Sequence, residues 1–173
     1  MEPENEIVNR VANSAIKSFD LEELYQPGER ILLDIKDQLY QGLILKEKDF
    51  RNFIKSHDWS RYQDQLVAIT CSEDAIVPTW AYMLITSALE PYARTMVFGG
   101  LEDMEAKLFF DSLSRIDWRQ FQDAKVVIKG CSKVPVPTAA YVEATRLMRP
   151  YAASIMFGEP CSTVPVYKKS RVN

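Results

Sequence analysis

The chain repeats itself at a spacing of 59 residues. Asp58-Trp59 returns as Asp117-Trp118, and Gln63-Asp64 as Gln122-Asp123. Pro78-Thr79 returns as Pro137-Thr138, Ala81-Tyr82 as Ala140-Tyr141, Pro91-Tyr92-Ala93 as Pro150-Tyr151-Ala152, and Phe98-Gly99 as Phe157-Gly158. Identities fall at 6 of 12 positions across residues 58–69 and at 10 of 22 across residues 78–99. Chance supplies only a few, so the sequence reads as a duplicated unit.

Each copy reads as helix, strand, loop, helix, strand. The leading helix covers residues 49–57 in the first copy and 102–116 in the second, where Met104, Leu108, Phe109, Leu113 and Ile116 recur at helical spacing. Short apolar runs at residues 66–70 and 125–129 predict buried strands. Pro78 and Pro137 suit the first turn of the next helix, where a missing N–H costs nothing, and Pro91 and Pro150 stop those helices. Residues 95–98 and 154–157 close each copy as strands. This alternation predicts an α/β fold, a mainly parallel sheet with helices on its faces, built on an internal duplication of an α-β-α-β unit.

At 173 residues the chain is expected to form a single domain. It has an N-terminal extension (1–48), repeat one (about 49–99), repeat two (about 102–158), and a C-terminal loop and tail (159–173). In the extension, Ile7, Val8, Val11, Ala15 and Ile16 suggest a first helix, and residues 31–35 and 40–45 a pair of strands. A net charge of −3 argues against a nucleic-acid binder. No apolar run approaches the ~20 residues of a membrane helix, and the acidic start is unlike a signal peptide. Lys168, Lys169 and Arg171 read as a solubilising tail. Three cysteines are too few and too odd for a disulfide framework, which favours a reducing cytoplasm.

Those cysteines are the most specific chemical signal. Cys71 and Cys131 each follow a predicted strand and precede a helix, where amide groups and the helix dipole favour a thiolate; Cys161 follows the last strand. Serine follows each of them. If the strands are parallel in one sheet, all three loops share its carboxyl edge, where α/β proteins place ligands. Three thiolates suffice for zinc or an iron–sulfur cluster, the fourth position being open or filled by another group. Glu73, Asp74 and Glu159 are nearest in sequence; the lone His57 belongs to the opposite edge. Against this stands the plain reading of cysteine as a small buried hydrophobe, and no CxxC pair is present.

Other motifs are missing. There is no GxGxxG, GxxxxGK[ST] or GxSxG, so dinucleotide, P-loop and hydrolase-elbow readings have no support and no nucleotide cofactor is expected. Trp59 and Trp118, repeated with Tyr62 and Phe121, read as core anchors. Trp80, Tyr82 and Tyr141 could wall a pocket over the sheet edge, but ordinary packing explains them better.

Residues 71–84, beginning Cys71-Ser72-Glu73-Asp74, carry a family resemblance, as do Ile128-Lys129-Gly130-Cys131-Ser132 and residues 154–165. With Lys46-Glu47-Lys48-Asp49-Phe50-Arg51 and His57-Asp58-Trp59, they resemble an uncharacterised bacterial domain-of-unknown-function family over essentially the whole chain. Genes of that family often lie beside the SUF iron–sulfur cluster assembly genes. The resemblance implies an accessory role there, with iron–sulfur assembly proteins as partners, and no mechanism.

The leading expectation is a cytoplasmic accessory protein of iron–sulfur or sulfur metabolism, holding a metal ion or cluster through Cys71, Cys131 and Cys161. Two alternatives stand beside it: a noncatalytic interaction module with inert buried cysteines, and a thiol-dependent redox or persulfide-carrying enzyme. The oligomeric state is open.

Overall fold

A computed structural model describes residues 16–130, 133–159 and 161–170. The described elements run β1 Ile16–Asp20, β2 Arg30–Asp34, α1 Glu47–Ser56, β3 Leu66–Thr70, α2 Thr79–Leu89 and β4 Thr95–Phe98. They continue with α3 Leu101–Ser114, β5 Lys125–Lys129, α4 Thr138–Met148, β6 Ser154–Glu159 and β7 Ser162–Lys168. The fold is mixed α/β with parallel-rich sheets, as expected. The strands form two sheets, however, ordered β2-β3-β4 and β1-β5-β6-β7. The chain divides accordingly into two compact units, Gln26–Leu108 and Met1–Tyr25 with Phe109–Asn173.

In Gln26–Leu108 all three strands are parallel, with β3 central. Its alternating side chains cover both faces. Val67 and Ile69 join Phe50 of α1 and Ala81, Ile85 and Leu89 of α2 in one cluster, while Leu66 and Ala68 meet Met104 and Leu108 of α3. This two-sided burial explains why the run is continuously apolar rather than alternating.

The other unit has the same parallel core, β1-β5-β6, and adds β7 antiparallel to β6. Val126, Ile128 and Ile155 pack with Ala140, Ala144 and Met148 of α4. The β6–β7 turn demands glycine: Gly158 has φ +119°, and a Cβ there would stand 2.6 Å from the Ser162 carbonyl oxygen.

Local details recur at matching positions. Trp59 and Trp118 each open a 3₁₀ turn, and each indole N–H caps the preceding helix, on Ile54 O at 2.8 Å and Leu113 O at 3.2 Å. Asp64 and Asp123 both adopt left-handed backbone, φ 59° and 53°, and donate their amides to Tyr92 O and Tyr151 O. Aspartate tolerates that conformation better than most residues. Pro78 and Pro137 stand immediately before α2 and α4.

Three expectations need correction. Ile16 opens β1 and is not helical, while residues 7–15 lie outside the described residues. Residues 31–35 correspond to β2, but residues 40–45 form a turn with only isolated bridges. Gln41 and Gly42 both turn left-handed there, so Tyr40 N reaches Ile44 O at 2.7 Å and the apolar run folds on itself. Finally, residues 162–168 form a strand rather than a tail; Pro165 is tolerated because β7 lies at the sheet edge.

Candidate functional site

The carboxyl edge of the β2-β3-β4 sheet gathers Asp34, Cys71, Ser72 and the start of α2. The last residue of β2 is Asp34, and Cys71 is the first after β3. One Asp34 oxygen accepts the Ser72 amide at 3.1 Å and the Lys36 amide at 3.1 Å; the other accepts the Ser72 hydroxyl at 2.5 Å. Burial pushes the Asp34 carboxyl up, but the Ser72 hydroxyl and amide, the Lys36 amide and the Lys36 charge together hold it below its ordinary value of 3.8. Half-buried Cys71 lies with its sulfur 3.7 Å from Glu73 O. Burial raises the nearby Tyr82 hydroxyl above its ordinary value of 10.0, and the charges of Cys71 and Asp34 act in the same direction.

Beyond this edge, α2 and β4 enclose an open groove of about 800 Å³. Ala75, Val77, Met83 and Phe98 supply apolar walls, and Thr79, Tyr82, Thr86, Ser87 and Glu90 add polar atoms. Tyr82 stands edge-on to Phe98 at 4.9 Å. Met83 and Phe98 are 66% and 67% exposed, so the groove presents large apolar side chains to solvent.

The second unit carries a smaller counterpart of about 380 Å³ between α4 and β6, lined by Ile128, Thr138, Tyr141, Thr145, Ile155, Met156, Phe157 and Val166. Tyr141 meets Phe157 edge-on at 5.6 Å. Tyr141, Thr145 and Phe157 stand 59 residues after Tyr82, Thr86 and Phe98. The difference is β7, whose Val166 enters the pocket wall. Ile155 beside it is fully buried, whereas Met96 at the matching place in β4 is half-buried.

The structure overturns the three-cysteine metal function. Among the described residues, no three His, Cys, Asp or Glu side chains are grouped so as to hold a metal ion. Cys71 follows a strand of one sheet, while Cys161 stands exposed in the turn joining β6 to β7 of the other. Cys131 and Ser132 lie outside the described residues. The expectation assumed one sheet with one carboxyl edge, and the strands belong to two. Spacing is a further reason: 59 residues after Cys71 comes Gly130, not Cys131. A Cβ at Gly130 would stand 2.9 Å from Tyr141 Oη and 3.3 Å from Leu21 Cβ, so a side chain there would make both neighbours give way. Nor are Cys71 and Cys161 buried thiols.

His57 ends α1, tilted against Trp59 at 4.6 Å and stacked on Tyr62 at 5.8 Å, with Nε2 3.2 Å from Tyr62 Oη. Trp80 packs on Phe50 at 6.0 Å and serves the core. Tyr82 and Tyr141 do wall pockets. Thr86 and Val166 were missed by sequence reasoning, although the recurrence of Tyr82 and Thr86 one helical turn apart was a signal: both lie off the buried face of α2.

No helix among the described residues is long and apolar enough to cross a membrane. Comparison with curated proteins and with solved structures gives no match. Residues 5–169 match the family described as "Protein of unknown function (DUF2480)", and the chain belongs to that family.

Proposed function

We propose that the chain is a duplicated binding protein in which the α2–β4 groove takes an apolar ligand. The duplication is supported by the 59-residue identities, the paired tryptophan caps and the paired left-handed aspartates. The observation that carries the binding reading is the groove itself. It combines about 800 Å³ of largely apolar space with a few hydroxyls, the composition of ligand pockets generally. Its counterpart is narrowed by β7, so the unit Gln26–Leu108 is the recognition half.

The test is titration of the full chain with the apolar dye 1-anilinonaphthalene-8-sulfonate, followed by fluorescence. Saturable binding is expected, weakened about tenfold or more by Thr86→Arg, which fills the groove from an exposed position on α2. Circular dichroism must show the variant folded. Dye binding unchanged by Thr86→Arg, or absent from the native chain, rejects the reading.

A further inference from the structure

The two units differ most at one sheet edge. Strand β6 has a partner on each side, whereas among the described residues β4 pairs only with β3. An unpaired edge displays backbone donors and acceptors and is a template for one more strand. In the other unit β7 shows what the equivalent edge accepts: an extended segment, antiparallel, with Ile155 opposite Tyr167 and Phe157 opposite Val164. A register irregularity at Ile155/Met156 accommodates Val166, and this side chain lines the pocket.

Charge at the end of the adjoining helix adds a second discriminating feature. Arg149, the C-cap of α4, lies with its guanidinium 4.9 Å from the centre of the Tyr167 ring. The residue 59 positions earlier is Glu90, the exposed C-cap of α2, which also lines the groove. A carboxylate repels the negative face of an aromatic ring and attracts a cation. Arg94, the nearest base in sequence, is turned toward the carbonyl of Pro27. The edge of β4 therefore differs from that of β6 in a specific way: it disfavours a tyrosine where β7 has one and favours lysine or arginine.

We infer that the open edge of β4 takes an extended partner polypeptide as an added antiparallel strand, with a β-branched aliphatic residue in the α2–β4 groove and a basic residue facing Glu90. This rests on the groove reading above and names its ligand. Main-chain pairing along Thr95–Phe98 supplies the docking, and the groove and Glu90 supply the selectivity.

The test uses the full chain and fluorescein-labelled nine-residue peptides with the sequence of residues 162–170, read by fluorescence anisotropy. One carries the native sequence, one carries Tyr167→Lys, and a third is the Tyr167→Lys peptide N-methylated at the positions of Val164 and Tyr167. The Tyr167→Lys peptide is expected to bind about three- to fivefold tighter than the native one, the size of an exposed charge pair. Glu90→Arg in the protein should reverse that order, and N-methylation should abolish binding. Equal binding of the N-methylated peptide overturns strand addition. So does failure of all peptides to bind while the dye still fills the groove, an outcome that leaves the groove reading intact. Loss of the dye as well removes both. A concentration-dependent dimer that the peptides do not compete with, and that Phe98→Lys dissolves, assigns the edge to a second copy and overturns the partner proposed here.

Discussion

His57 shows how a single side chain in a packed aromatic setting couples to pH. It lies among Phe53, Trp59 and Tyr62, at ring distances of 5.0, 4.6 and 5.8 Å. Burial lowers its pKa from the ordinary 6.5, the Arg61 charge lowers it further, and Asp58 opposes both. A base whose folded pKa is depressed binds fewer protons folded than unfolded. Its contribution is fully present above 6.5 and is lost as pH falls through the folded value. The urea midpoint should thus decline as pH drops below about 6.5, and His57→Phe should flatten that part of the profile. A profile identical in native and variant chains would show that the ring is no more constrained in the folded protein than in the unfolded one.

Among the elements, β7 holds its place through unequal contributions. Tyr167 packs on the α4 cluster and beneath Arg149, while Val166 is 52% exposed. Tyr167→Ala is expected to destabilise the unit by about 2 kcal/mol, and Val166→Ala by less than about 1 kcal/mol, measured by urea denaturation. The order should also appear in hydrogen exchange at β6, faster for Tyr167→Ala. Elements set by local pattern were legible in the sequence: α1, α2, α3, α4, β3, β4, β5 and the start of β6 all fall near their expected places. Their apolar periodicity and flanking prolines are local properties. Legibility ended where identity depends on a distant partner. Nothing within five residues of β1 says that it lies against β5, and Pro165 argued against a strand that only an edge position permits. The cysteines failed for the same reason. Their loops were read correctly as strand ends, but which sheet each strand joined was not a local property. The groove was partly visible through Tyr82 and Tyr141, and its other half was hidden in the pairing of β6 with β7.

At the scale of the whole molecule, α3 is the element shared between the two units. Its Met104 and Leu108 pack with Leu66 and Ala68, and its Phe109 and Leu113 pack with Trp118 and Val126. A break at its centre should therefore be felt in both cores. Ala106→Pro removes a helix hydrogen bond and introduces a ring clash, at a cost of about 3 kcal/mol or more. Trp59 and Trp80 lie in one unit and Trp118 in the other, so variants retaining one set of indoles report each core separately. Both signals are expected to shift to lower urea. A shift confined to Trp118 would show that the first half of α3 is dispensable to its own cluster. The division of the chain also bears on synthesis. Strand β1 pairs with β5, Ile16 opposite Lys125, so it leaves the ribosome before the whole of Gln26–Leu108 and its partner emerges only after it. At about 5–20 residues per second that interval is several seconds or longer. During translation the first strand thus waits for its neighbour while all of Gln26–Leu108 emerges behind it, and that waiting strand is where a chaperone would have most to protect.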